Sequence, residues 1–170
     1  MPRILTIGPI VAAALVLAGA AFAAPTPSPS YDLTGVATGG AQGALGALGG
    51  AARGSSGDHA VWEASFGYAP AACAAVGSSC ALTGGTFALT SNNGSALAGT
   101  IKGGQLTLTA QPDRCGTQVF DVSALVSTLT ALEQFTGQLT QHRAPVRGVC
   151  TVVTANVQGT LAVVDDGGSF

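Results

Sequence analysis

Thr86-Phe87-Ala88-Leu89-Thr90-Ser91-Asn92-Asn93-Gly94-Ser95-Ala96-Leu97-Ala98-Gly99-Thr100-Ile101 holds the reading that decides the fold. Phe87 and Leu89 fall on one side of a period-two pattern with Thr86 and Thr90 opposite, which is the mark of a half-buried strand. Asn92-Asn93-Gly94-Ser95 then reverses the chain, because Asn-Gly accepts the positive φ angles of a tight hairpin turn. Leu97 and Ile101 mark the return strand. Gly103-Gly104 is expected to turn the chain again, with Leu106, Leu108 and Ala110 on the next strand.

Working outward, the same alternation recurs. Trp62, Ala64, Phe66 and Tyr68 share one face of an upstream strand, and Phe120, Val122, Ala124 and Val126 share one face of a downstream strand. Leu125 to Leu132 reads as strand with a turn near Leu132 and Glu133. Phe135 to Arg143 and Val149 to Val164 supply the last two strands, joined by a turn around Pro145 and Gly148. With one more near Tyr31 to Val36, the count is about eight, in a single β domain spanning 31–164. Links this short favour antiparallel hairpins. A sheet of that size hides its edges and apolar face by closing or folding over, so the expected class is all-β, an antiparallel barrel or a two-layer sandwich. Residues 39–57, rich in Gly and Ala, are expected as a low-complexity loop, since glycine at such density makes regular structure costly.

The flanks carry a different signal. Met1-Pro2-Arg3 gives a short positive start, an uncharged apolar run follows to Ala20, and Ala21-Phe22-Ala23 supplies a small-x-small cleavage site. This order is that of a secretory signal over 1–23. Pro25 to Ser30 alternates proline with small hydroxyl residues, so 24–30 is an extended, solvated spacer, and 165–170 is a flexible tail. The expected localisation is secreted or extracytoplasmic, without stable membrane insertion. The single lysine, Lys102, against five arginines and the Ala/Gly abundance read as the codon bias of a GC-rich bacterium.

Four cysteines in an exported chain predict disulfides. The expected pairing is Cys73 with Cys80 and Cys115 with Cys150, stabilising by about 2.5 and about 3.8 kcal/mol on chain-entropy grounds. Zinc is the rival, but no C-x2-C pair is present, and neither a metal nor another cofactor is implied.

The charge inventory excludes more than it proposes. Only 8% of residues are charged and the formal net charge is −2, which leaves no phosphate-neutralising surface for nucleic acid. There is no G-x-S-x-G elbow, H-E-x-x-H, P-loop or Rossmann fingerprint, and no catalytic residue is assigned. Asp58, His59 and Glu63 lie close in sequence, yet on a strand His59 and Glu63 share a face from which Asp58 points away. If Cys115 bonds Cys150, Arg114 joins His142, Arg143 and Arg147 at one end of the domain, a cluster able to hold a carboxylate, sulfate or phosphate group. Trp62, Phe66 and Tyr68 are the alternative binding face, a platform for sugar rings, set against the reading that they are core. The functional expectation is a non-enzymatic binding or envelope-associated structural domain meeting a cell-envelope polymer or another protein. A secreted hydrolase acting on cell-wall or extracellular polymer is the alternative. An outer-membrane β-barrel is the second alternative, weakened because Phe170 follows Asp165-Asp166-Gly167-Gly168-Ser169 instead of ending an alternating apolar strand.

The cleavage motif gives a direct expectation: intact mass of exported protein corresponds to a chain starting at Ala24. Recovery of material retaining Met1 to Ala23 contradicts it.

Overall fold

The structure is a computed structural model describing residues 30–38, 44–111 and 114–164. Eight strands follow in order: β1 (Ser30–Thr38), β2 (Ala44–Gly54), β3 (His59–Tyr68), β4 (Ser79–Ser91), β5 (Ala96–Ala110), β6 (Thr117–Thr128), β7 (Leu132–Val146) and β8 (Val149–Val163), with one 3-10 turn at Pro70–Cys73. Each strand is antiparallel to its sequence neighbours, and β8 returns to β1, closing the sheet into a barrel. Closure is the solution that removes every edge. The segment 1–23 expected as a secretory signal, the expected spacer up to residue 29 and the expected tail at 165–170 lie outside the described residues.

The strand count agrees with expectation, but its membership does not. Residues 44–54, expected within a loop, form β2, paired with β1 and β3. Its side chains are too small to show an alternation, yet Leu48 and Ala52 are buried on the inner face. Glycine fits here because β1 runs very close: a Cβ on Gly50 would overlap the Thr34 carbonyl and the Gly35 Cα. Conversely, Gly103-Gly104 is not a turn. β5 runs straight through it with a bulge, and Gly104 takes φ 139°. The extra residue switches the parity of the inward positions, from Leu97 and Ile101 before the bulge to Leu106 and Leu108 after it, which in sequence looks like two strands. The β7–β8 turn is likewise centred on Arg147 and Gly148, and Pro145 is paired with Cys150 within the ladder.

Inside, the barrel is apolar. Leu33, Leu48, Leu89, Leu106, Leu108, Leu139 and Leu161 are almost completely buried. An eight-stranded barrel has an interior just wide enough for side chains to fill or for one small ligand, and here glycines on the wall make room for the rings. Trp62 sits over Gly35, where a Cβ would come within 2.5 Å of the ring, and its indole N–H donates to the carbonyls of Thr34 and Ala51, 3.1 Å each. Phe135 lies over the cross-strand pair Gly137 and Gly159 in the same way. Trp62 also stacks with Phe87 at 6.3 Å.

Outside, hydroxyl, amide and carboxylate groups pair across the strands. Ser65 bonds Thr86 at 3.0 Å, Ser79 bonds Thr107 at 2.7 Å, Gln138 donates to Asp121 at 3.2 Å, and Thr160 donates to Asp32 at 3.0 Å.

Gly159→Ala pushes the new methyl against the Phe135 ring and the Thr136 carbonyl. The expected loss is about 1–3 kcal/mol, as for overpacking, read as a lower urea midpoint. Gly103→Ala, with open space around its Cβ, shifts stability by no more than about 0.5 kcal/mol.

Candidate functional site

The barrel has two rims. The β3–β4, β5–β6 and β7–β8 connections stand at the upper rim, and the β2–β3, β4–β5 and β6–β7 turns at the lower, a consequence of strict strand alternation. Both disulfides, Cys73–Cys80 and Cys115–Cys150, are at the upper rim. The first is buried and packs with the core at the barrel mouth. Beneath it Gln141 donates to the Tyr68 hydroxyl at 3.1 Å, a buried polar pair that satisfies two groups facing the interior.

The second disulfide ties the β5–β6 loop to β8, which places Arg114, His142, Arg143 and Arg147 on the same rim. They differ in freedom. The Arg143 backbone N–H donates to Gly116 O at 2.9 Å and its guanidinium to Cys150 O at 3.3 Å, so this half-buried side chain braces the loop. His142 is exposed and bonds the Thr117 hydroxyl through Nδ1 at 3.2 Å. Arg114 and Arg147 are both exposed.

Arg147 has a further property. With φ 50° it is the one non-glycine residue at positive φ among the described residues, and Gly148 follows at φ 81°. Two central residues at positive φ make a type I′ hairpin turn, where Asn or Gly at the first position relieves the strain that a longer side chain carries.

The other candidates separate. His59 and His142 stand at opposite rims, so no acid/base group unites them. His59 and Glu63 both point outward on β3, four residues and therefore about 13 Å apart along the strand. Asp58 instead accepts a hydrogen bond from Ser56 Oγ at 2.7 Å in the β2–β3 turn. Among the described residues, no three His, Cys, Asp or Glu side chains gather as a metal site. Trp62 and Tyr68 are buried and Phe66 is half-buried, all facing the barrel interior. The aromatic set therefore presents no outward platform to a sugar ring, because the narrow apolar core takes up these rings.

Two features escaped the sequence reading. One is an interior cavity of 40 Å³ lined only by apolar residues. The other is Glu133, expected in a turn but placed at the start of β7, facing inward and 6% exposed. The signal for it was parity: Glu133 is in phase with Phe135 and Leu139. Desolvation by burial raises its pKa above the ordinary glutamate value. Its inward neighbours are Val126 on β6, Val163 on β8 and Phe135 on β7. The titratable inward group nearest along the sheet is Tyr31 on β1, which pairs with Leu161.

No protein-family model, no curated protein and no solved structure matches the chain.

Between the unfolded and the raised folded pKa of Glu133, the native state holds a proton that the unfolded state has released. Its contribution to stability therefore falls as pH rises through that window and stays low above it. Glu133→Gln is expected to raise the melting temperature at neutral pH and to flatten its decline from mildly acidic pH. A variant less stable than the parent at neutral pH contradicts this.

Proposed function

We propose that this chain is an exported, non-enzymatic binding module of bacterial type, in which the barrel is the rigid frame and the cationic upper rim contacts an anionic group on a cell-envelope polymer or a protein. The observation that carries the reading is Arg147. An arginine held at positive φ, where a glycine or asparagine would relieve the hairpin, keeps backbone strain for the sake of its side chain. The disulfide beside it and the Arg143 brace fix the neighbouring backbone, so the backbone that carries the exposed Arg114 and Arg147 loses little further freedom on meeting a ligand.

The two disulfides fit an oxidising compartment outside the cytoplasm. Among the described residues, no helix is long and apolar enough to cross a membrane. The polar cross-strand pairs on the outer wall favour a barrel standing in water over the outer-membrane alternative. Separation of the two histidines onto opposite rims favours binding over the hydrolase alternative.

Arg114→Ala with Arg147→Ala is expected to weaken binding to dextran sulfate at low salt by roughly 2- to 30-fold, from two exposed charges at about 0.2–1 kcal/mol each. Arg147→Asn alone is expected to weaken binding and to stabilise the fold by about 1 kcal/mol as the turn relaxes. Unchanged affinity of the double variant at low salt refutes the assignment of the rim.

A further inference from the structure

The end of the β7–β8 hairpin stands beyond the barrel wall. The ladder between β6 and β7 stops at Thr117 with His142, and the ladder between β1 and β8 stops at Thr38 with Thr154. Past those pairs the two strands hold only each other, through Arg143 with Val152, Ala144 with Thr151, Pro145 with Cys150 and Val146 with Val149. A register shift between His142 and Arg143 marks the place where this ribbon leaves the wall. Two strands alone are marginally stable in water, and Pro145 brings no N–H to the ladder.

The Cys115–Cys150 disulfide ties this ribbon to the rest of the rim. Cys150 lies in the third pair from the base of the ribbon, and Cys115 lies in the segment leading into β6. Among the described residues, the other hydrogen-bonded link from 114–116 to the ribbon is the Arg143 backbone N–H donating to Gly116 O at 2.9 Å. One covalent bond therefore does most to keep Arg114 beside Arg143 and Arg147.

The two disulfides differ in access. Cys73 and Cys80 are each 3% exposed within the core, whereas Cys115 and Cys150 are half-buried at the rim. Exchange begins with attack by a thiolate on one sulfur, so an accessible pair reacts first. Charge adds to the difference. The Arg143 guanidinium reaches the Cys150 carbonyl at 3.3 Å, and Arg114 directly precedes Cys115. Cations beside a thiol favour its thiolate, and a stabilised thiolate leaves faster.

We infer that Cys115–Cys150 is a redox latch, which an external dithiol opens while the Cys73–Cys80 bond and the barrel persist, and whose opening disperses the cationic cluster. The thiolate of the dithiol attacks Cys115 Sγ, the bond between the two cysteine sulfurs breaks, and Cys150 leaves as a thiolate beside Arg143. The second thiol of the donor loses its proton and displaces Cys115 from the mixed disulfide. The donor ends as its own disulfide, and the protein has gained two electrons and, once both thiolates are protonated, two protons. Freed from Cys115, the ribbon pivots at its base and carries Arg143 and Arg147 away from Arg114. Control of binding by this latch rests on the rim being the binding surface, as proposed above, whereas the opening itself does not.

The oxidised, exported protein is pulsed with dithiothreitol at neutral pH, trapped with iodoacetamide and mapped by peptide mass. Cys115–Cys150 is expected to be reduced roughly tenfold faster than Cys73–Cys80. In the singly reduced protein, amides between Arg143 and Val152 lose hydrogen-exchange protection while those of β3 to β6 keep it. A Cys115→Ser, Cys150→Ser variant should show the same pattern, which separates opening from the bulk of the alkyl groups. Its affinity for dextran sulfate at low salt should fall to that of the Arg114→Ala, Arg147→Ala protein. Equal or slower reduction of Cys115–Cys150, unchanged protection in the ribbon, or full dextran sulfate binding by the opened protein overturns the inference. If the oxidised parent does not bind dextran sulfate, the rim reading fails, and the latch is decided by the order of reduction and the exchange protection alone.

Discussion

Closure of the sheet is the constraint on which the rest of this structure depends. β8 meets β1 through nine paired positions, from Ser30 opposite Ala162 to Thr38 opposite Thr154. Once those two strands are joined, every backbone ladder has a partner, and the number of strands fixes how wide the interior can be. That width accommodates leucines facing one another, but it leaves large rings short of space. The paired glycines Gly137 and Gly159 and the single Gly35 are the response to it, since each removes a Cβ where an aromatic ring must lie. Closure thus dictates the glycine pattern, and the glycine pattern dictates where the interior is full and where it is open.

That chain of causes also explains what could be read in advance. Alternation is legible wherever the inward side chains are large, so β3, the β4–β5 hairpin and β6 are plain in the sequence. It fails where the inward residue is glycine or alanine, as in β2, which reads as low complexity because the missing bulk is supplied by Trp62 from the next strand. It misleads where a bulge inserts a residue, and Gly103-Gly104 passes for a turn. The omission of β2 and the splitting of β5 offset each other, so the number eight was reached although two of its elements were misassigned. Barrel and sandwich share the same local pattern and differ only in whether the first and last strands meet, a contact that no local signal encodes.

The disulfides were legible because cysteine pairing follows spacing and hairpin neighbourhood, and the gathering of Arg114, His142, Arg143 and Arg147 on one rim follows from them. The strain at Arg147 is not legible, since Pro145 draws the expected turn away from Arg147 and Gly148 although it is paired within the ladder. Nor was the inward direction of Glu133, whose role depends on which side of a strand end it occupies. Voids, finally, are properties of packing in three dimensions. The sequence lists the lining residues but not the space left between them.

The pairing of Ser30 with Ala162 has a mechanical consequence. The first and last strands leave the barrel side by side at one rim, so opposed pulls on them load the β1–β8 ladder from its end, where hydrogen bonds lie across the strands and break one pair after another. A pull applied between the two rims loads the same bonds along the strands, where many must yield together. The molecule is therefore a soft zipper to tension between its own two ends and a stiff rod to tension between its base and whatever its far rim holds.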